Sequence, residues 1–212
     1  MIGVLDLQGG VHEHLDHLER LDIPYKRVKH AEDLEHLAGL IIPGGESTCL
    51  ARLLSIFRMK EVIIRHARQG MKIWGTCAGA ILLADKVKGE EACLGLIDLE
   101  IERNSFGSQL DSFVSNARIP DISDDPIPLT FIRAPKILHV GKEVRILLQM
   151  NGFIAAAESN EILATVFHPE LTGCLALHRY FAAKCGLKIS SKAQTASENW
   201  ENVSWMKLAR IG

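Results

Sequence analysis

The sequence predicts an α/β fold: a mostly parallel sheet with helices on both faces and antiparallel additions in its second half. Three observations carry that prediction. Apolar runs in the first half are short, nearly continuous and separated by segments of helical period, the pattern of parallel strands buried on both faces. In the second half Asn151-Gly152 lies between two apolar stretches, a strong local signal for an antiparallel hairpin. Glycine and proline mark the joins, as at Gly9-Gly10, Pro43-Gly44-Gly45 and Gly70.

The elements follow in chain order. Residues 2–7 form a short strand that stops at Gln8-Gly9-Gly10. Residues 11–21 set Val11, Leu15 and Leu18 on one helical stripe, with Glu, His and Arg between them. Residues 25–28 read as a second strand after Pro24, residues 31–37 as a short helix, and residues 40–42 as a third strand. Ser47 reads as an N-cap leading a helix over 48–57, and another helix covers about 60–69. Residues 72–74 are a strand that runs directly into Gly75-Thr76-Cys77-Ala78-Gly79 and an apolar helix over 80–84. Strands at 144–150 and 153–157 flank the hairpin turn, a strand follows at 162–167, and a helix at 175–183. The stretch 189–212 is rich in Ser, Asn and Glu, with Trp200 and Trp205 as late apolar points, and is either a mobile extension or a docking segment. The expected organisation is one folded domain over 1–187 and a C-terminal tail over 188–212.

Composition sets the outer limits. A 212-residue chain that is 47% hydrophobic and 24% charged can bury a full core unaided, which excludes disorder over most of its length. A net charge of −2 with no Lys/Arg-rich run argues against nucleic acid as a partner. No apolar stretch reaches the roughly 18 residues of a membrane span, and the N-terminus has no basic secretory region. Five cysteines with no C-x-x-C pair argue against a disulfide framework and a structural zinc site. A soluble, cytoplasmic protein is expected.

The sharpest chemical signal is Gly75-Thr76-Cys77-Ala78-Gly79, a G-x-nucleophile-x-G pattern between strand and helix. The glycines are expected to permit the cramped turn that lifts Cys77 above the sheet. The following helix presents its N-terminus to the sulfur, which favours a thiolate, and leaves the Ala78 N–H to face a developing oxyanion. The alternative is a buried core cysteine, the reading kept for Cys49, Cys93, Cys174 and Cys185, which lack such a context. A cysteine nucleophile needs a base and a group to orient it. His168 ends a predicted strand and is followed by Pro169-Glu170; on an extended segment His168 and Glu170 project side by side. Pro169 cannot donate to a sheet ladder, so the pair marks a strand end. Taken alone, a surface His beside a surface Glu would look the same.

Pro43-Gly44-Gly45-Glu46-Ser47 allows backbone N–H groups to approach a substrate, although a Pro-Gly-Gly turn is often only a turn. Arg103-Asn104 and Phe131-Ile132-Arg133-Ala134-Pro135 offer guanidinium forks for a carboxylate, against the plainer reading of solvated surface arginines. His12, His14 and His17 lack the i, i+4 spacing of a helical zinc pair and read as a solvated helix face.

Together, Gly75-Thr76-Cys77-Ala78-Gly79 and His168-Pro169-Glu170 resemble the class I (triad) glutamine amidotransferases. Leu7-Gln8-Gly9, Pro43-Gly44-Gly45-Glu46-Ser47-Thr48, Arg103-Asn104-Ser105-Phe106-Gly107, Phe131-Ile132-Arg133-Ala134-Pro135 and Phe167-His168-Pro169-Glu170-Leu171-Thr172 narrow the resemblance to one branch, the glutaminase subunits of pyridoxal 5′-phosphate synthase. It spans about residues 2–181. It implies a three-layer α/β glutaminase domain in which Cys77 is the nucleophile, His168 the general acid/base and Glu170 its orienting partner. It further implies Gly45, Glu46, Ser47, Arg103, Ile132 and Arg133 around glutamine, with oxyanion donors from Ala78 and the Gly44-Gly45 turn, Gly44 above all. No metal or organic cofactor is implied. The ammonia would pass to a (β/α)8-barrel synthase subunit in a large hetero-oligomer, and Gln8-Gly9-Gly10 matches the loop that responds to docking. Ser108 stands where family members often carry Arg, and Val114 where they tend to carry Glu; both changes remove charge near the expected partner-facing surface. The rival readings are a glutaminase of another amidotransferase, a cysteine hydrolase of flavodoxin-like fold, and a non-catalytic redox-sensing or partner-binding module, which would have no need of Glu170.

Overall fold

The computed structural model describes residues 1–103 and 112–189. The expectations for Asn104, Ser108, Trp200, Trp205 and the tail from residue 190 lie outside the described residues.

In chain order the elements are β1 (Ile2–Leu5), α1 (Val11–Arg20), β2 (Tyr25–Val28), β3 (Gly39–Ile42), α2 (Ser47–Ile56), α3 (Lys60–Arg68), β4 (Lys72–Thr76), α4 (Ala78–Leu83), β5 (Ala84–Val87) and β6 (Ile97–Glu102). They continue with β7 (Phe113–Ile119), β8 (Ser123–Phe131), β9 (Lys136–Val140), β10 (Arg145–Met150), β11 (Phe153–Glu158), β12 (Ile162–Thr165) and α5 (Ala176–Lys184). The main sheet runs β2-β1-β3-β4-β12-β11-β9-β6-β5, with β10 added beside β11. The first five strands of that order are parallel, and β11 and β9 run antiparallel to their neighbours. Every residue of β1, β3 and β12 is buried, as a sheet covered on both faces requires. The expected α/β architecture with antiparallel additions is therefore present. Among the described residues, no helix is long and apolar enough to cross a membrane.

The hairpin at Asn151-Gly152 joins β10 to β11, and both turn residues have positive φ (47° and 79°), the requirement of a two-residue turn matching the sheet's twist. Several local expectations change. The helix foreseen over 31–37 is a 3-10 turn, Ala31–Leu34. The N-cap of α2 is Glu46, not Ser47: its carboxylate accepts from the Thr48 and Cys49 N–H groups at 2.9 and 2.7 Å, reaching over Ser47 to do so. The apolar helix after the cysteine starts at Ala78 and stops at Leu83, because Ala84 opens β5.

Strands β5 to β9 were not anticipated. β6 carries a readable alternation, with Ile97, Leu99 and Ile101 buried between charged residues. β8 contains Pro126 and Pro128, which count against a sheet interior; it pairs only with β7 in a separate two-stranded ribbon, where the missing N–H groups cost little.

Candidate active site

The C-terminal ends of β1, β3, β4 and β12 meet at one edge of the parallel sheet, the edge at which open α/β sheets bind ligands. Register sets the levels. Ile42 pairs with Gly75 and Thr165 with Thr76, so Gly44-Gly45, Cys77 and His168 leave adjacent strands together. The Cys77 N–H donates to the Thr165 carbonyl at 2.8 Å and ties the cysteine to β12.

Cys77 is buried with φ 48° and ψ −104°, a left-handed backbone that costs about 1–3 kcal/mol in a non-glycine residue. The strain therefore sits on the cysteine itself. The flanking glycines do a different job from the expected one: they supply room. A Cβ on Gly79 would lie 2.0 Å from the Ile42 carbonyl oxygen, and one on Gly75 would lie 2.4 Å from the Gly79 carbonyl carbon. Ala78 opens α4, so its N–H has no acceptor one turn earlier in the helix.

His168 Nδ1–H donates to Glu170 Oε1 at 2.7 Å. The two residues do not share an extended segment, as the spacing suggested; a 3-10 turn at Pro169–Leu171 swings Glu170 back under the imidazole. Burial disfavours charge on His168, but the Glu170 carboxylate and the Cys77 sulfur, each also a hydrogen-bond partner, outweigh it and raise its pKa well above the usual histidine value. Glu170 is fully buried. Burial pushes its carboxyl up; the facing His14 and His168 rings, and a backbone N–H, hold it below the usual carboxylate value instead. Gly44 lies over both partners: a Cβ there would meet His168 Cε1 at 2.4 Å and Cys77 Cβ at 3.2 Å.

One oxyanion expectation needs correction. The Gly44 N–H already donates to Thr76 Oγ1 at 2.9 Å, so it is not a free donor for an oxyanion. Ala78 and Gly45 are the members of the expected set left for that role.

A cavity of about 420 Å³ opens over Cys77 and His168, the size of a small-molecule site. Gly45, Glu46, Ser47, Arg103, Ile132 and Arg133 all line it, with Gly44, Ala78 and Glu170. Arg103 is held at the rim by Glu90 (both carboxylate oxygens at 2.7 Å), Glu46 (3.2 Å) and Thr48 (3.1 Å). Sequence reasoning missed Glu13, Ile81 and Leu171 as wall residues. Ile81 is one helical turn beyond Cys77 and could have been placed by spacing alone. Gln8 belongs to the wall too, its Oε1 accepting from the Glu46 N–H at 3.0 Å.

The solvated face foreseen for His12, His14 and His17 is wrong for two of the three. His14 and His17 are fully buried; only His12 is exposed. Among the described residues, no group of three or more His, Cys, Asp or Glu is placed to hold a metal ion. Of the other cysteines, Cys49 is exposed, and burial pushes the thiols of Cys93 up and of Cys185 up to about 12; none lines the cavity.

Comparison with known proteins gives concordant matches. The family model described as the SNO glutamine amidotransferase family matches residues 4–187. A protein of Syntrophus aciditrophicus (strain SB) named pyridoxal 5′-phosphate synthase subunit PdxT is 60% identical over 210 residues, 98% of this chain and 94% of that one. One of the same name from Clostridium botulinum (strain Loch Maree / Type A3) is 48% identical over 185 residues, 86% of this chain and 96% of its own. A crystal structure described as a glutamine amidotransferase superposes with a TM-score of 0.83 at 38% identity, covering 88% of this chain and 99% of that one. PurLQS from Thermotoga maritima, at 16% identity and a TM-score of 0.64, shares the fold.

Proposed function

The chain belongs to the SNO glutamine amidotransferase family, and on that premise we propose that it hydrolyses L-glutamine to L-glutamate and ammonia as the glutaminase subunit of a pyridoxal 5′-phosphate synthase. The observation that carries the chemistry is the imidazole of His168, held by Glu170 at 2.7 Å and shifted toward its charged form by the Glu170 carboxylate first and the Cys77 sulfur second, all within one cavity.

In this reading the Cys77 thiolate attacks the side-chain amide carbon of glutamine. The oxyanion is met by the Ala78 N–H and a second donor from the Gly45 peptide; one such donor is worth about 10²–10³ in rate. His168 gives its proton to the departing ammonia, leaving a glutamyl thioester on Cys77. The imidazole, neutral again, takes a proton from water, and the hydroxide attacks the thioester and releases glutamate. Glu170 holds the Nδ1–H tautomer throughout, so that Nε2 does the proton transfers. Arg103 and Arg133, with Glu46, Ser47 and Ile132, hold the amino-acid end of the substrate.

The ammonia goes to a synthase subunit, a (β/α)8 barrel in a large hetero-oligomer, and the site of action is the cytoplasm, in keeping with five free thiols. The test is ammonia release from L-glutamine by the purified chain, alone and with the synthase subunit. Release that depends on Cys77 supports the reading; none in either condition overturns it.

A further inference from the structure

Beneath the triad lies a buried polar cluster for which the proposed mechanism has no use. Glu170 Oε2 is fully enclosed and has no hydrogen-bond partner, a costly state for a carboxylate oxygen. The side chain aimed at it is His14 of α1, whose Nε2 stands 3.6 Å away and 3.4 Å from Thr76 Oγ1. On its other side His14 Nδ1 is 2.8 Å from His178 Nε2 of α5. Both rings pack edge-on against Trp74, which fixes their planes.

From these contacts we infer that His14 is a positioning residue for the triad: its Nε2–H steadies the second oxygen of Glu170, and His178 fixes the tautomer that allows this. The inference deepens the glutaminase reading and rests on it. The proton count is determined by the neighbours. A bare Nε2 lone pair would repel the carboxylate, so Nε2 carries the hydrogen. Nδ1 must then accept, and the donor is His178 Nε2–H, which leaves His178 Nδ1 bare; that atom has no partner. Burial keeps His14 neutral, with its pKa down at about 4 despite the nearby Glu170 charge. Glu170 thus stands between two imidazoles, His168 on Oε1 and His14 on Oε2. At 3.6 Å the second contact is electrostatic, not yet a hydrogen bond, and catalytic contacts of this kind shorten when substrate is bound. One further bond extends the cluster to the glycine turn over Cys77 and His168, since Thr76 Oγ1 also accepts the Gly44 N–H.

The experiment uses the full-length chain with its synthase subunit. His14→Leu is expected to lower kcat for glutamine hydrolysis by about ten- to hundredfold, as loss of a supporting contact does, with KM within about twofold because no binding contact is removed. His14→Gln, which keeps an N–H donor at the Nε2 position, is expected to recover most of that loss. The low-field proton resonance of His168 Nδ1–H should shift in the Leu variant and return in the Gln variant. A kcat for H14L within twofold of the unsubstituted chain, or H14Q no better than H14L, overturns the inference. A separate measurement needs no substitution. ¹⁵N NMR of histidine-labelled protein should find His14 as the Nε2–H tautomer, and the Nδ1–H tautomer or an imidazolium overturns the inference even if H14L does not fold. If the unsubstituted complex releases no ammonia from glutamine, the glutaminase reading fails instead, and the tautomer result still decides the role of His14 toward Glu170.

Discussion

Thr165 stands directly opposite Thr76 in the parallel pairing of β12 with β4. Cys77 directly follows the end of β4 and His168 lies three residues beyond the end of β12, so this single register aligns nucleophile and base. A slip of one residue would turn every side chain of the moving strand to the opposite face of the sheet and separate the pair.

The first prediction concerns selectivity. A diazo-ketone analogue of glutamine should alkylate Cys77 alone among the five cysteines, read by mass spectrometry of the digested protein. Burial holds the Cys93 and Cys185 thiols in the protonated form, and Cys49, though exposed, lies outside the cavity. Modification of Cys49 at a comparable rate would mean that exposure, not the site, directs the reagent.

Loss of the triad members should be graded. Cys77→Ala should reduce ammonia release to background. Glu170→Ala should cost less, within the roughly 10²–10⁴-fold range of general acid–base groups, because His168 keeps its place through its backbone N–H to Thr130. Steady-state kinetics of both variants with the synthase subunit decides this, and equal losses would assign the carboxylate another task.

Crowding at Gly79 yields a stability prediction. Gly79→Ala drives a methyl group into the Ile42 carbonyl oxygen, backbone that cannot give way as a side chain can. The expected cost is about 1–3 kcal/mol, typical of overpacking, seen as a lower denaturation midpoint. An unchanged midpoint would show that α4 can lift from β3 freely.

Acid should weaken the fold before its carboxylates titrate. His14 binds a proton near pH 4 when folded and near 6.5 when unfolded. Between those values the unfolded chain holds the extra proton, so stability falls as pH drops from about 6.5 toward 4, by roughly 3 kcal/mol from His14 alone. Buried His17 and His178, also shifted down, act in the same direction. His168 is shifted up, so its contribution is complete below pH 6.5 and is lost only on the alkaline side. Urea denaturation of the unsubstituted chain and of H14Q across this window is the check; a variant just as acid-sensitive would remove His14 from the account.

Much of this was legible in the sequence. Gly75-Thr76-Cys77-Ala78-Gly79 between a strand and a helix located the nucleophile, and His168 with Glu170 located its partners, because these patterns are local. What escaped depends on contacts distant in the chain. The helical period sets His14 beside Val11, Leu15 and Leu18 on the buried stripe, but the partners that accept His14 and His17 there, Trp74 and His178, lie far along the chain and leave no local signal. Glu46 capping α2 in place of Ser47 turned on side-chain reach, and the Gly44 N–H was claimed by Thr76, thirty-two positions away. The ribbon of β7 and β8 was obscured by prolines that only an unpaired edge tolerates.

The pairing of β4 with β12 also bears on how the protein is made. Domains form from the N-terminus as the ribosome extends the chain, and the half that carries the sulfur emerges long before the strand that brings the imidazole and carboxylate. A nascent polypeptide halted anywhere short of His168 holds its thiol with no base to serve it, so glutamine would be spared until translation of the domain is all but finished.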